Sequence, residues 1–265
     1  AQQMDEPTRR ELIKKKLWTT HPKTVTEAVD ALRAEIQHPE PGQRHVLREE
    51  LLNAHHTLVN KVHTRSPLHR QALHRVEAAL VDLLGAHRGQ QAIALSTMYF
   101  SRDAALAEQQ RHLLMTLMDR ELLEELLFTA GWVWGHVNAH ARKAIDTLGE
   151  AGLPMLLEIT HDETDGIHNE ALRERLRHFT FPIGEDVGKL QIRMAAFDAT
   201  VRLRPDDPVP VGWRFERLLQ SALRVLARVQ DDPAVSAQMA GVIAEQIRRY
   251  PLLLDAILPD VERSF

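Results

Sequence analysis

Apolar side chains return every three or four residues along almost the whole chain, and the breaks between these periodic stretches are short. That spacing lines them up along one stripe of a helix, whereas a half-buried strand needs alternation by two. Residue usage points the same way. Leu, Ala, Arg, Glu and Gln dominate and aromatics make up only 5% of the chain, a mixture that favours helices over strands. The chain therefore reads as all-α. Its 265 residues suffice for one extended domain or two small ones, and it is taken as a single helical-repeat domain over 1–265.

The breaks set the expected helices. Residues 8–18 and 24–37 form a short pair, ended by His38-Pro39-Glu40-Pro41-Gly42, where two prolines and a glycine cannot continue a helix. Stretches 43–63 and 67–87 follow, joined at Ser66-Pro67, which offers a serine cap and a proline at the first helical position. Further helices are expected over 101–118, 119–130, 132–149, 153–161, 167–179, 185–203, 214–229, 233–250 and 252–263. The longest interruption, residues 205–212, is the one candidate for a joint between subdomains.

Near the centre the rhythm becomes repetitive. Ala141, Ala144, Ile145, Leu148 and Gly149 share one stripe, Leu153, Pro154, Leu156 and Leu157 open the next, and an acidic turn leads to Ala171, Leu172 and Leu176. Residues 222–233 echo the pattern. The arrangement resembles the HEAT repeat, in which a first helix ends in a Leu-Gly-like step, a shorter second helix opens near a proline, and an Asp-rich turn precedes a helix bearing Arg and Ala. The resemblance implies a right-handed α-solenoid of stacked antiparallel hairpins. Each hairpin is too small to bury its apolar face alone, so neighbours stack into a continuous core, here expected to include Ala144, Leu148, Leu156, Leu157 and Leu172.

The acidic turn, His161-Asp162-Glu163-Thr164-Asp165-Gly166, has two readings. Glu158 and His161 have the Glu-x-x-His spacing of di-iron bundles, and Glu35 with His38 repeats it. In a solenoid the same residues are a polar turn, with Gly166 in the left-handed conformation and Asp162 or Asp165 meeting free helix-end amides. The turn is preferred, because 15 histidines among many glutamates give roughly one such pair by chance and a di-iron bundle needs two further glutamates on facing helices. His136 and His140, four apart, lack the intervening Glu of a zinc hydrolase and are read as structural. No metal site and no cofactor are expected. The absence of cysteine excludes disulfides and thiolate chemistry, and no nucleophile elbow, phosphate loop or dinucleotide fingerprint occurs.

A stripe of arginines is the candidate functional surface. Over 214–229, Phe215, Leu218, Leu219, Ala222, Val225, Leu226 and Val229 define an inward face, and Arg214, Arg217, Arg224 and Arg228 align along one flank. Guanidinium groups at one- or two-turn intervals suit carboxylates or phosphates, to which each donates a planar pair of hydrogen bonds. Lys189 and Arg193 are expected to extend the patch; other basic runs are Lys14-Lys15-Lys16 and Arg65, Arg70 and Arg75. The leading expectation is a non-enzymatic binding or scaffold module that captures a protein partner, as most HEAT-like chains do. The alternative is DNA binding through the arginines. Trp132-Val133-Trp134 invites comparison with HEAT-like alkylpurine DNA glycosylases, but no aspartate adjoins these tryptophans, so the catalytic reading ranks last. Net charge is −4, with no apolar run of membrane-spanning length and no signal-peptide core at the start; a cytoplasmic protein without a membrane partner is expected.

Overall fold

The computed structural model describes residues 6–40, 42–60, 66–131, 136–162, 164, 166–177 and 184–204, with scattered positions between 220 and 244. Among these residues the protein is helical throughout and contains no strand. The chain divides into two compact units, Ala1–Met118 and Asp119–Phe265. Residues 205–212 and the tryptophans at 132 and 134 lie outside the described residues.

The first unit comprises α1 (Glu6–Leu17), α2 (Pro22–Ala31), α3 (Arg33–Gln37), α4 (Gln43–Val59), α5 (Pro67–Leu84), α6 (Ala86–Phe100) and α7 (Ala104–Thr116). Helix α5 is the hub, lying against α2, α3, α4 and α6. Leu17, Leu32, Leu47, Leu51, Leu58, Val76 and Leu80 are fully buried in one cluster, the stripe that the three-and-four spacing requires. The helix expected over 24–37 is divided at Leu32, whose amide is shared between the Ala28 and Val29 carbonyls at 3.2 and 3.1 Å. Its side chain drops into the core at the division, so burial of Leu32 accompanies the kink.

Two local expectations need correction. Ser66 makes no side-chain cap bond; its carbonyl accepts the amides of His69 and Arg70 instead. Side-chain capping is carried out at α7, where the Asp103 carboxylate accepts from Ala105 N and Leu106 N at 2.9 and 3.2 Å. Second, α6 was not foreseen. A single residue, Gly85 at φ 83°, separates it from α5, a conformation that glycine adopts without steric cost. The chain turns back on itself so tightly there that a Cβ on Gly89 would sit 2.7 Å from the Cα of Val81.

The second unit comprises α8 (Arg120–Gly131), α9 (His136–Leu148), a 3-10 turn (Gly149–Gly152), α10 (Leu153–His161), α11 (Glu170–Arg177) and α12 (Gly184–Leu203). Helix α12 packs along α8, α10 and α11, and α8 also pairs with α9. Seven successive residues of α8, Leu122 to Phe128, are buried, so it has no solvated face and its glutamates need partners inside. Of the expected core, Ala144, Leu156 and Leu172 are fully buried, while Leu148 and Leu157 are half-buried.

The α5–α6 contact yields the first prediction. Gly89→Ala places a methyl group against main chain that cannot swing aside, so it should destabilise the first unit by about 1–3 kcal/mol, the usual range for overpacking. A lowered thermal midpoint by circular dichroism checks this; an unchanged midpoint would show that α6 slides freely on α5.

Candidate functional site

The acidic turn after α10 is the most densely connected polar feature of the described structure. The Asp162 carboxylate, nearly enclosed, accepts from the amide and hydroxyl of Thr164, from Lys189 Nζ at 3.1 Å and from Arg120. Arg120 reaches back from the start of α8 and also donates to Glu158 at 2.5 Å and Glu124 at 3.3 Å. Lys189 of α12 donates further to the carbonyls of Thr164 and Gly166, each at 2.6 Å. Gly166 takes φ 93°, the left-handed turn expected of it. Burial by itself would raise the Asp162 carboxyl, but hydrogen bonds from Thr164 and Lys189 outweigh it and hold the group far below the ordinary carboxylate range.

The rest of the turn is tied as firmly. Glu124 Oε2 accepts the Asn169 amide at 2.8 Å, Asn169 Nδ2 donates to the Glu121 carbonyl at 2.8 Å, and Asn169 Oδ1 accepts the Leu172 amide at 2.9 Å. Asn169, and not the expected Asp162 or Asp165, is thus the cap of α11. From α12, Glu185 Oε1 accepts the Ile167 amide at 3.0 Å. Asp162 serves its own turn; residues 163 and 165 lie outside the described residues.

The two Glu-x-x-His pairs have their carboxylates engaged by arginine: Glu158 by Arg120, Glu35 by Arg10. His136 and His140 meet edge to face with ring centroids 6.2 Å apart. Among the described residues no group of three or more histidine, aspartate or glutamate side chains converges as a metal site would require. The first unit holds a polar chain that spacing did not reveal. Ser96 Oγ of α6 lies 2.8 Å from Nδ1 of His55 on α4, His55 Nε2 lies 3.5 Å from Glu77 on α5, and Glu77 meets the exposed His74 at 3.2 Å. Hydroxyl, imidazole and carboxylate in series suggest nucleophilic catalysis, but His55 is wholly buried and Ser96 nearly so. No substrate reaches the hydroxyl in this arrangement; it acts as a tie between three helices. Burial favours the neutral Glu77, yet the bonds from His55 and His74 prevail and lower it.

The proposed arginine patch divides between outward and inward residues. Arg224 is exposed on a helical segment where Ala222 and Val225 of the expected inward face are buried, as is Leu223. Arg214, Arg217 and Arg228 lie outside the described residues. Lys189 and Arg193 do not extend a solvent-facing patch. Lys189 is committed to the acidic turn, and Arg193 is buried with Nε donating to the Thr160 carbonyl at 3.2 Å. Their α12 face is covered by α10, so their charge is spent inside. Comparison of the chain with family models, with curated proteins and with solved structures finds no match to any of them.

Two predictions follow from these ties. Asp162→Asn should lower stability at pH 7 by about 3 kcal/mol, because Arg120 and Lys189 lose a buried counter-charge. A depressed carboxyl contributes stability that is complete above its unfolded pKa of about 3.9 and is lost as pH falls through the lower folded value. The acid-side decline in stability should therefore flatten in the variant, as denaturant midpoints measured from pH 5 downward would show. Ser96→Ala should cost about 1–3 kcal/mol by stranding His55 Nδ1 in the core. An unaltered melting curve for Ser96→Ala would show that the His55 tie is dispensable.

Proposed function

We propose that this chain is a non-enzymatic binding or scaffold module that captures a protein partner on a helical-repeat surface. In this reading its hairpins stack in the HEAT-like manner, as a right-handed α-solenoid. Consecutive helices that pack on one another support it: α4 on α5, α5 on α6 and α6 on α7 in the first unit, α8 on α9 in the second. The function rests on analogy of architecture and on one observation, the outward Arg224 on a helix turned inward by Ala222, Leu223 and Val225. With Arg214, Arg217 and Arg228 at the same helical spacing, Arg224 would belong to a row of guanidinium groups facing the carboxylates of an acidic segment.

The same row suits phosphates, and DNA binding is the second reading that Arg224 favours. The combined replacement Arg217→Ala and Arg224→Ala separates the possibilities. Exposed substitutions change stability by only about 0.5 kcal/mol, so the fold should persist while a partner cross-linked to the wild-type protein is lost from the variant. Titration against duplex DNA across a salt series supplies the second arm. Affinity that falls steeply with salt, with a slope reduced by about two units in the double variant, would replace the protein partner by DNA. A large drop in thermal midpoint would overturn both readings and make the arginines ties between helices.

A further inference from the structure

Helix α1 carries a combination found nowhere else on the described surface. Ile13 and Leu17 are buried, fixing the inward side of the helix. Outside stand two large apolar residues, Leu12 at 42% and Trp18 at 55% exposure, with the exposed Lys15 and Lys16 between them. Lys14 Nζ lies 5.3 Å over the Trp18 ring and braces the indole. Arg10 is not part of this surface, since it is engaged by Glu35 and Glu50. From Leu12 to Trp18 there is no acidic residue; the one acidic neighbour in the preceding turn is the exposed Glu11, four residues before Lys15 on the same outer side.

We propose that the outer side of α1 is a docking ridge for an anionic lipid surface. Three properties select that occupant. The site is the outer side of a single helix, and a peptide partner would need a groove or a paired edge to bury its own side chains, whereas a bilayer closes around a ridge. Indole is the side chain that settles at headgroup depth, and lysine stems lie along apolar surface while their ammonium groups stay among the phosphates. The protein as a whole carries a net charge of −4, so attraction to an anionic surface rests on local clusters such as this one and not on the whole molecule. The contact is peripheral: no helix among the described residues is long and apolar enough to cross a membrane. It uses no residue of the arginine flank and stands independently of the protein-partner reading.

The test is co-sedimentation of the full chain with phosphatidylcholine vesicles, with and without about 30% phosphatidylserine, at low and physiological salt. Partition should be at least about tenfold greater on the anionic vesicles and should fall with salt, since the lysines are solvent-exposed. Lys15→Glu with Lys16→Glu should abolish the preference with the helical spectrum unchanged. Brominated lipid should quench part of the wild-type indole fluorescence; the chain has four tryptophans, so Trp18→Phe must remove that part. Partition of the unmodified protein between the two vesicle types keeps the test decisive even if a variant misfolds. Equal partition on both vesicle types, or quenching that persists in Trp18→Phe, would overturn the proposal. So would salt-sensitive binding to poly-L-glutamate without vesicle partition, which would assign the ridge to an acidic polypeptide.

Discussion

Asp162, held between Arg120 and Lys189, is the constraint on which the second unit depends. One carboxylate joins the start of α8, the end of α10 and the first half of α12, and the cations that hold it also serve Glu158, Glu124 and two turn carbonyls. A buried ion pair contributes little to stability against a well-packed apolar equivalent, because desolvation offsets most of the attraction. Its consequence is specificity. With Asn169 capping α11 and also bonded to both Glu124 and the Glu121 carbonyl, and with the Ile167 amide bonded to Glu185, Asp162, Ile167 and Asn169 are matched to fixed positions on α8 and α12. A helix buried on all sides, as α8 is, has no amphipathic stripe to set its rotation; these bonds set it instead.

How far the sequence carried depended on whether a helix keeps a wet face. Helix α10 occupies residues 153–161 as its spacing implied, and α8 and α12 agree within about a residue at each end. Helix α6 went unread because Gly89, Gln91, Ser96 and Thr97 are buried beside Ala94 and Met98, so apolar spacing had no contrast to show. Arginine and lysine were legible as charges but not in their direction. Lys189 and Arg193 read as surface because their acceptors, Asp162 and the Thr160 carbonyl, stand 27 and 33 residues away in sequence. Arg224 needed only neighbours one and two residues away, and its outward orientation was accessible from spacing.

The interior therefore consumes much of the charged chemistry. Glu50 shows the cost plainly: burial pushes its carboxyl upward despite Arg10 and Lys14 nearby, whereas Glu77, bonded to two histidines, is pulled down. The two proposed surfaces, the outer side of α1 and the flank marked by Arg224, lie on different units and differ in chemistry. The first joins indole and ammonium groups; the second presents guanidinium.

The single-residue link at Gly85 bears on how the chain reaches this structure. Helices joined so closely meet without closing any loop, and α6 comes to rest against the backbone of α5 at Val81. The Arg120–Asp162 tie, by contrast, spans 42 residues and requires α8, α10 and the turn already to be in place. Closing the loop therefore costs the charged tie more chain entropy than it costs the α5–α6 hairpin. The Asp162 tie thus depends on long-range order within the second unit, whereas the α5–α6 contact of the first is local.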